Sequence, residues 1–190
     1  MEELQVSGAR RRGWLLLALC CAGCGQRPGE PGPPRFVLEG SLGQLMGLGY
    51  DEARLRFAPL ESLALDFVRI RPLSGGGPDG GDASAGNSED LVLQLAYRLQ
   101  GDDPPNRQRI DLTFLDVSGG GRTALARNVS GDPRRTFPPL RVGSLFLERA
   151  PNNDAPGPVA GEFNLTFQNG AEVASGRTVF GRFSARVVPP

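Results

Sequence analysis

The chain has 190 residues, of which 21 are arginine and 21 acidic, with no lysine and no histidine, so its formal net charge is zero. An even balance argues against a nucleic-acid binder, which needs surplus positive charge to displace counterions. Without histidine or lysine there is no Ser-His or Cys-His nucleophile pair, no imidazole base, no His-bearing zinc site, no Schiff base and no phosphate-loop lysine.

In chain order, the first legible stretch is Arg10-Arg11-Arg12 followed by the apolar run Trp14 to Ala22 and then Gly23-Cys24. Cationic residues, a short apolar core and small residues form the order of an export signal. Nine apolar residues rise only about 14 Å as a helix, and a bilayer span takes roughly 20 residues. The segment therefore reads as a signal and not as a membrane span.

Cys21-Ala22-Gly23-Cys24 resembles the lipobox of bacterial lipoproteins, with Ala22, Gly23 and Cys24 matching the pattern and Cys21 standing where Leu is usual. Neither Cys20 nor Cys21 has the required small residues before it, so Cys24 is the expected acceptor. The resemblance implies cleavage after residue 23, a diacylglyceryl thioether on Cys24 and acylation of its freed amine with palmitate-like chains. A buried methylene is worth about 0.8 kcal/mol and a single chain binds only marginally, so several chains on one residue anchor the protein permanently. Gly25 stands where this class reads Asp as an inner-membrane retention signal, which implies the outer membrane. Arg11-Arg12-Gly13-Trp14-Leu15 also loosely resembles the twin-arginine export motif.

Loss of residues 1–23 removes three arginines and two glutamates, leaving 18 Arg against 19 acids and no cysteine beyond Cys24. The exported body is then expected to form no disulfide and to rely on packing. The exclusive use of Arg, with 27 Gly and 17 Pro, reads as GC-rich coding and not as a site.

Residues 24–35 form the expected lipidated N-terminus and flexible linker: Gln26 to Arg35 holds four prolines and two glycines without apolar periodicity. In polyproline II those ten residues would reach roughly 30 Å, at about 3.1 Å each. From Phe36 to Pro190 the pattern has period two. Leu91, Leu93, Leu95, Tyr97 and Leu99 alternate with Val92, Gln94, Ala96, Arg98 and Gln100. The same spacing places Leu55 with Phe57, Leu63 with Leu65 and Phe67, and Ile110 with Leu112 and Phe114 on single strand faces. Weaker strands are expected at Phe36–Leu42, Thr123–Asn128 and Ser144–Glu148. A hairpin is expected from Gly161, Phe163, Leu165 and Phe167, through Asn169-Gly170, to Val179, Gly181, Phe183, Ala185 and Val187. Gly47 and Gly49 argue against a helix over Gln44–Glu52. Eight or nine short strands with Gly- and Pro-rich turns predict an all-β fold, a single antiparallel β-sandwich of Ig-like or jelly-roll-like form.

The remaining chemistry is that of carboxylates. Asp51-Glu52, Glu89-Asp90 and Asp102-Asp103 are the candidates for a glycosidase pair, although adjacent acids at turns read first as solvated surface. Asp82-Ala83-Ser84-Ala85-Gly86 lacks the first glycine of a serine elbow. The Gly/Asp segment Ser74 to Glu89 offers oxygen ligands but not calcium-loop spacing, so it reads as a connection. Asn128-Val129-Ser130 and Asn164-Leu165-Thr166 are sequons that a bacterial lipoprotein would leave bare. Arg54 with Arg56, and Arg69 with Arg71, share strand faces and read as a polar surface; the phenylalanines at strand spacing read as core. The expectation is a non-catalytic envelope lipoprotein of structural or interaction role, without cofactor or metal. Its expected partners are the membrane, through the lipid, and an envelope protein or glycan. The alternative is a glycan- or peptide-binding sandwich module.

Overall fold

The computed structural model describes residues 34–58, 62–72, 87–98, 109–113, 123–151 and 157–188. Cys24, the signal, the linker up to residue 33, Asp102-Asp103, Phe114 and most of the Ser74–Glu89 segment lie outside them. The elements are β1 (Phe36–Val37), α1 (Gly40–Met46), β2 (Gly49–Tyr50), β3 (Glu52–Ala58), β4 (Ser62–Pro72), β5 (Asn87–Arg98), β6 (Arg109–Asp111), β7 (Thr123–Asn128), β8 (Arg135–Thr136), β9 (Leu140–Leu147), β10 (Val159–Phe167) and β11 (Thr178–Val188). The fold is all-β with one short helix.

Nine strands form one sheet in the order β6-β9-β10-β11-β3-β4-β5-β7-β8, and β1 with β2 forms a separate two-stranded ribbon. Every neighbouring pair in the large sheet is antiparallel except β11 with β3. In a flat sheet β8 and β9 would lie about 34 Å apart, seven spacings of about 4.8 Å. Only Phe137, Pro138 and Pro139 join them, and four Cα steps span at most about 15 Å. The sheet therefore curls until its ends meet. Thr123 Oγ1 donates to the Leu112 carbonyl at 2.6 Å, and the rings of Phe137 and Phe167 stack at 5.5 Å.

Curling encloses the apolar faces. Phe67 on β4 meets Phe163 on β10 at 5.3 Å and Phe183 on β11 at 6.0 Å, although neither strand is its hydrogen-bonded neighbour. The predicted alternation holds along β10, where Val159, Phe163, Leu165 and Phe167 are buried, and along β11, where Val179, Phe183, Ala185 and Val187 are. It fails at one end of β5. Leu93, Leu95 and Tyr97 face the core, but a register shift between Leu91 and Gln94 buries Val92 and leaves Leu91 only half-buried. On β4 both faces are buried, because Ala64, Asp66 and Val68 are roofed by neighbouring side chains.

The segment 36–50 departs from expectation. A strand over Phe36–Leu42 is replaced by the two residues of β1 and then by α1, which the glycines delimit instead of forbidding. Gly47 takes the left-handed conformation (φ 57°) that ends a helix, donating its N–H to the Gly43 carbonyl. Gly40 has φ 95°, and a Cβ there would stand 2.5 Å from the Thr178 carbonyl oxygen. The helix can approach β11 this closely only with glycine at its start. Leu38, Leu42 and Leu48 are then fully buried beneath it.

Candidate binding groove

The chain meets β11 at Glu39, just after β1, while β1 itself diverges from it. Glu39 donates its N–H to the Phe180 carbonyl at 2.9 Å and accepts the Phe180 N–H at 3.2 Å. Continued pairing would set Val37 beside Arg182, but Val37 pairs with Gly49 and Phe36 with Tyr50 instead. The divergence opens a groove of about 500 Å³ on the outer face of β10 and β11. A neighbouring hollow of about 350 Å³ shares Phe36, Tyr50 and Arg182 with it and extends to Arg186.

One wall is aromatic. Phe36 is 54 % exposed, yet its ring rests on that of Tyr50 at 5.3 Å and 30°. Tyr50 is itself fixed by an edge contact with Phe67 at 4.9 Å and by its hydroxyl, which donates to the Arg182 carbonyl at 3.4 Å. Burial pushes the Tyr50 hydroxyl above its ordinary pKa, so it stays protonated. Phe180, 37 % exposed, stands on the floor beside Asn164 and Arg182. Arg109 closes one end, donating to Glu162 at 2.6 Å and to the Ser144 hydroxyl at 3.0 Å.

Sequence reasoning placed the phenylalanines at strand spacing in the core, which is right for Phe67, Phe163, Phe167 and Phe183 and wrong for Phe36. Phe180 carried its own signal: it falls out of phase with Val179, Gly181 and Phe183, so a strand in that register turns it outward. Phe36 had none, because its exposure follows from the divergence of β1.

Of the acidic candidates among the described residues, Asp51 and Glu52 line the neighbouring hollow, and Glu52, Glu89 and Asp90 join Asp66 in a belt of ion pairs over the outer faces of β3, β4, β5 and β11. Arg54 forks onto both Glu89 oxygens, at 2.6 and 2.8 Å, and onto Glu52 at 2.9 Å. Arg186 reaches Glu52 at 2.9 Å. Arg56 binds Asp66 at 2.6 Å, and Gln94 donates to its other oxygen at 2.8 Å. Asp51 accepts the Ile70 N–H at 2.9 Å and that of Arg35 at 3.2 Å. Asp90, 3 % exposed, accepts the Ser130 N–H at 2.7 Å and pairs with Arg71. Hydrogen bonds from Arg54 hold the Glu52 and Glu89 carboxyls below the ordinary range, despite some opposing desolvation. A glycosidase acid needs the opposite shift. Arg134 lies in the exposed turn, whereas Arg135 belongs to β8.

Arg127 differs from the arginines of this belt. Its guanidinium is buried on β7, with Asp132 no nearer than 3.9 Å and with Nε and Nη1 lacking hydrogen-bond partners. Burial pulls its pKa down. No group of three or more Cys, Asp or Glu side chains suited to a metal ion occurs among the described residues. No helix among them is long and apolar enough to cross a membrane. No family model, curated protein or solved structure matches the chain.

Proposed function

We propose that the chain is an envelope lipoprotein, held at the bacterial outer membrane by acyl chains on Cys24, whose domain from residue 36 to 190 binds or scaffolds without catalysing a reaction. The observation that carries the non-catalytic part is the arginine belt: Glu52, Asp66, Glu89 and Asp90 are each committed to an arginine. For Glu52 and Glu89 the hydrogen bonds from Arg54 lower the carboxyl pKa, which makes them poor proton donors. The curled sheet reads as a sandwich-like body of Ig-like or jelly-roll-like type, in which β10 and β11 pack over β4; the Phe67–Phe163 and Phe67–Phe183 contacts support that division.

A second reading, a glycan- or peptide-binding module, is favoured by one observation: two exposed aromatic rings, Phe36 and Phe180, border a concave groove. Such a patch on a solvated surface marks an interaction site. The two readings are compatible, since a tethered protein can present a groove.

The test of the tether is phase partition of the full chain expressed in a Gram-negative host. The protein is expected in the detergent phase and, on density separation, with the outer membrane. Recovery in the aqueous phase and the soluble periplasmic fraction would overturn the proposal.

A further inference from the structure

We propose that the groove between β1 and the outer face of β10 and β11 is a saccharide site that takes a short neutral glycan, with one sugar ring on Phe36 and the next on Phe180. This deepens the binding-module reading and rests on it.

Three features of the groove select this chemistry. The first is the aromatic pair. A pyranose has an apolar C–H face and a polar rim, and it packs that face on an aromatic ring. Phe36 offers one open ring face because the other is covered by Tyr50, and the stack is rigid because Tyr50 is itself locked. The Phe180 backbone is clamped by Glu39 through both its N–H and its C=O. The platform thus needs little ordering on binding, which favours affinity.

The second feature is the polar set within reach of such a ring. Asn164 brings an amide that donates and accepts, Glu162 a carboxylate, and Arg182 a guanidinium whose side chain is 90 % exposed and 3.8 Å from Glu162. Planar bidentate groups match vicinal hydroxyl pairs. The third is charge. Glu39 and Glu162 face Arg109 and Arg182 around the rim, two of each sign, which suits an uncharged ligand. The volume of about 500 Å³ falls within the roughly 300–1,000 Å³ of small-molecule sites.

The same geometry disfavours an extended peptide. Strand addition needs an open backbone edge, but here the N–H and C=O of Phe180 are taken by Glu39 and the Arg182 carbonyl by the Tyr50 hydroxyl. A bilayer is disfavoured because the aromatic rings border a hollow and do not crown a protrusion.

The test uses the full lipidated chain in a detergent without a sugar headgroup, with chitotriose, cellotriose and maltotriose as probes. Saturation-transfer difference NMR and titration calorimetry read binding. At least one trisaccharide is expected to bind, with saturation strongest at its ring C–H protons. Phe36→Ala and Phe180→Ala are each expected to weaken binding about tenfold, the value of one lost aromatic contact. Asn164→Ala is expected to weaken it in the same direction, and Val142→Ala, on β9 away from the groove, to leave it unchanged. All four sites are on the surface, so circular dichroism should report unaltered folding. Absence of binding by all three sugars overturns the proposal, as does binding that survives both Phe variants. If the sugars fail but an extended-peptide library binds and Phe36→Ala abolishes it, the glycan assignment falls and the binding-module reading stands. Adsorption to phosphatidylethanolamine–phosphatidylglycerol vesicles that depends on Phe36 would likewise replace the glycan with a membrane. Failure of all three probe classes removes the binding-module reading as well.

Discussion

Glu39 and Phe180 exchange both of their backbone hydrogen bonds, and this bridge fastens the chain to β11 just after β1, which stands away from β11 and pairs with β2. Gly40, the next residue, lies against Thr178 at a separation that admits no side chain. Gly40→Ala therefore faces both a positive φ and a backbone clash. The expected loss is about 2–3 kcal/mol, read as a lowered urea midpoint. Gly47→Ala meets nothing within 4 Å and is expected to lose only about 1–2 kcal/mol, from its left-handed backbone alone. Equal losses would show that the clash is relieved by local movement.

Arg54 sets the acid sensitivity of the belt. Its hydrogen bonds lower the folded pKa of Glu52 and Glu89. Their contribution is thus present above the unfolded carboxylate value, about 4.3, and is lost as pH falls through the lower folded values. Side-chain exposure of 26 % and 47 % screens both pairs, so the effect should stay under about 1 kcal/mol. Arg54→Met should cost stability at pH 7, and the difference from the parent chain should shrink by pH 3. A difference that is constant with pH would assign the loss to packing and not to charge.

Phe67 joins the two sides of the curled sheet. Phe67→Ala removes contacts to Tyr50, Phe163 and Phe183 together, and should cost about 3–5 kcal/mol in denaturant unfolding. Val142→Ala, at a site 60 % exposed on β9, should change stability by no more than about 0.5 kcal/mol.

Arg127 is a buried cation whose ion-pair partner Asp132 is 3.9 Å away, with Asp90 acting on it only at longer range and Arg135 opposing. Replacement by an apolar side chain of similar length removes the desolvation cost and keeps the volume. Arg127→Met is expected to raise stability by about 1 kcal/mol or more. A fall in the urea midpoint would mean that the guanidinium contributes more than its geometry accounts for.

The fold was legible where one face of a strand meets the core and the other meets water. Phe163, Leu165 and Phe167 against Glu162, Asn164 and Thr166 settle β10 without ambiguity, and Thr123–Asn128 appears as β7 with the predicted bounds. Legibility failed where neighbours cover the outer face, as over Ala64, Asp66 and Val68, since periodicity cannot see a roof of arginine and glutamine side chains. It failed again over Gly40–Gly47, because helix punctuation and helix breaking use the same residue. The groove was half legible: the phase of Phe180 turns it outward, but the wall at Phe36 arises from a divergence between strands that only the three-dimensional path reveals. The acidic pairs were visible as candidates, yet apart from Arg54 beside Glu52 their arginine partners lie across strands and up to 134 residues away.

The central claim is the covalent tether, and it is tested most directly by growing cells that express the chain or its Cys24→Ser variant on radiolabelled palmitate and following label and membrane fraction together. The account predicts that the parent chain is labelled and sediments with membranes, and that the variant carries no label and loses the membrane. Equal labelling and equal sedimentation of the two would contradict it.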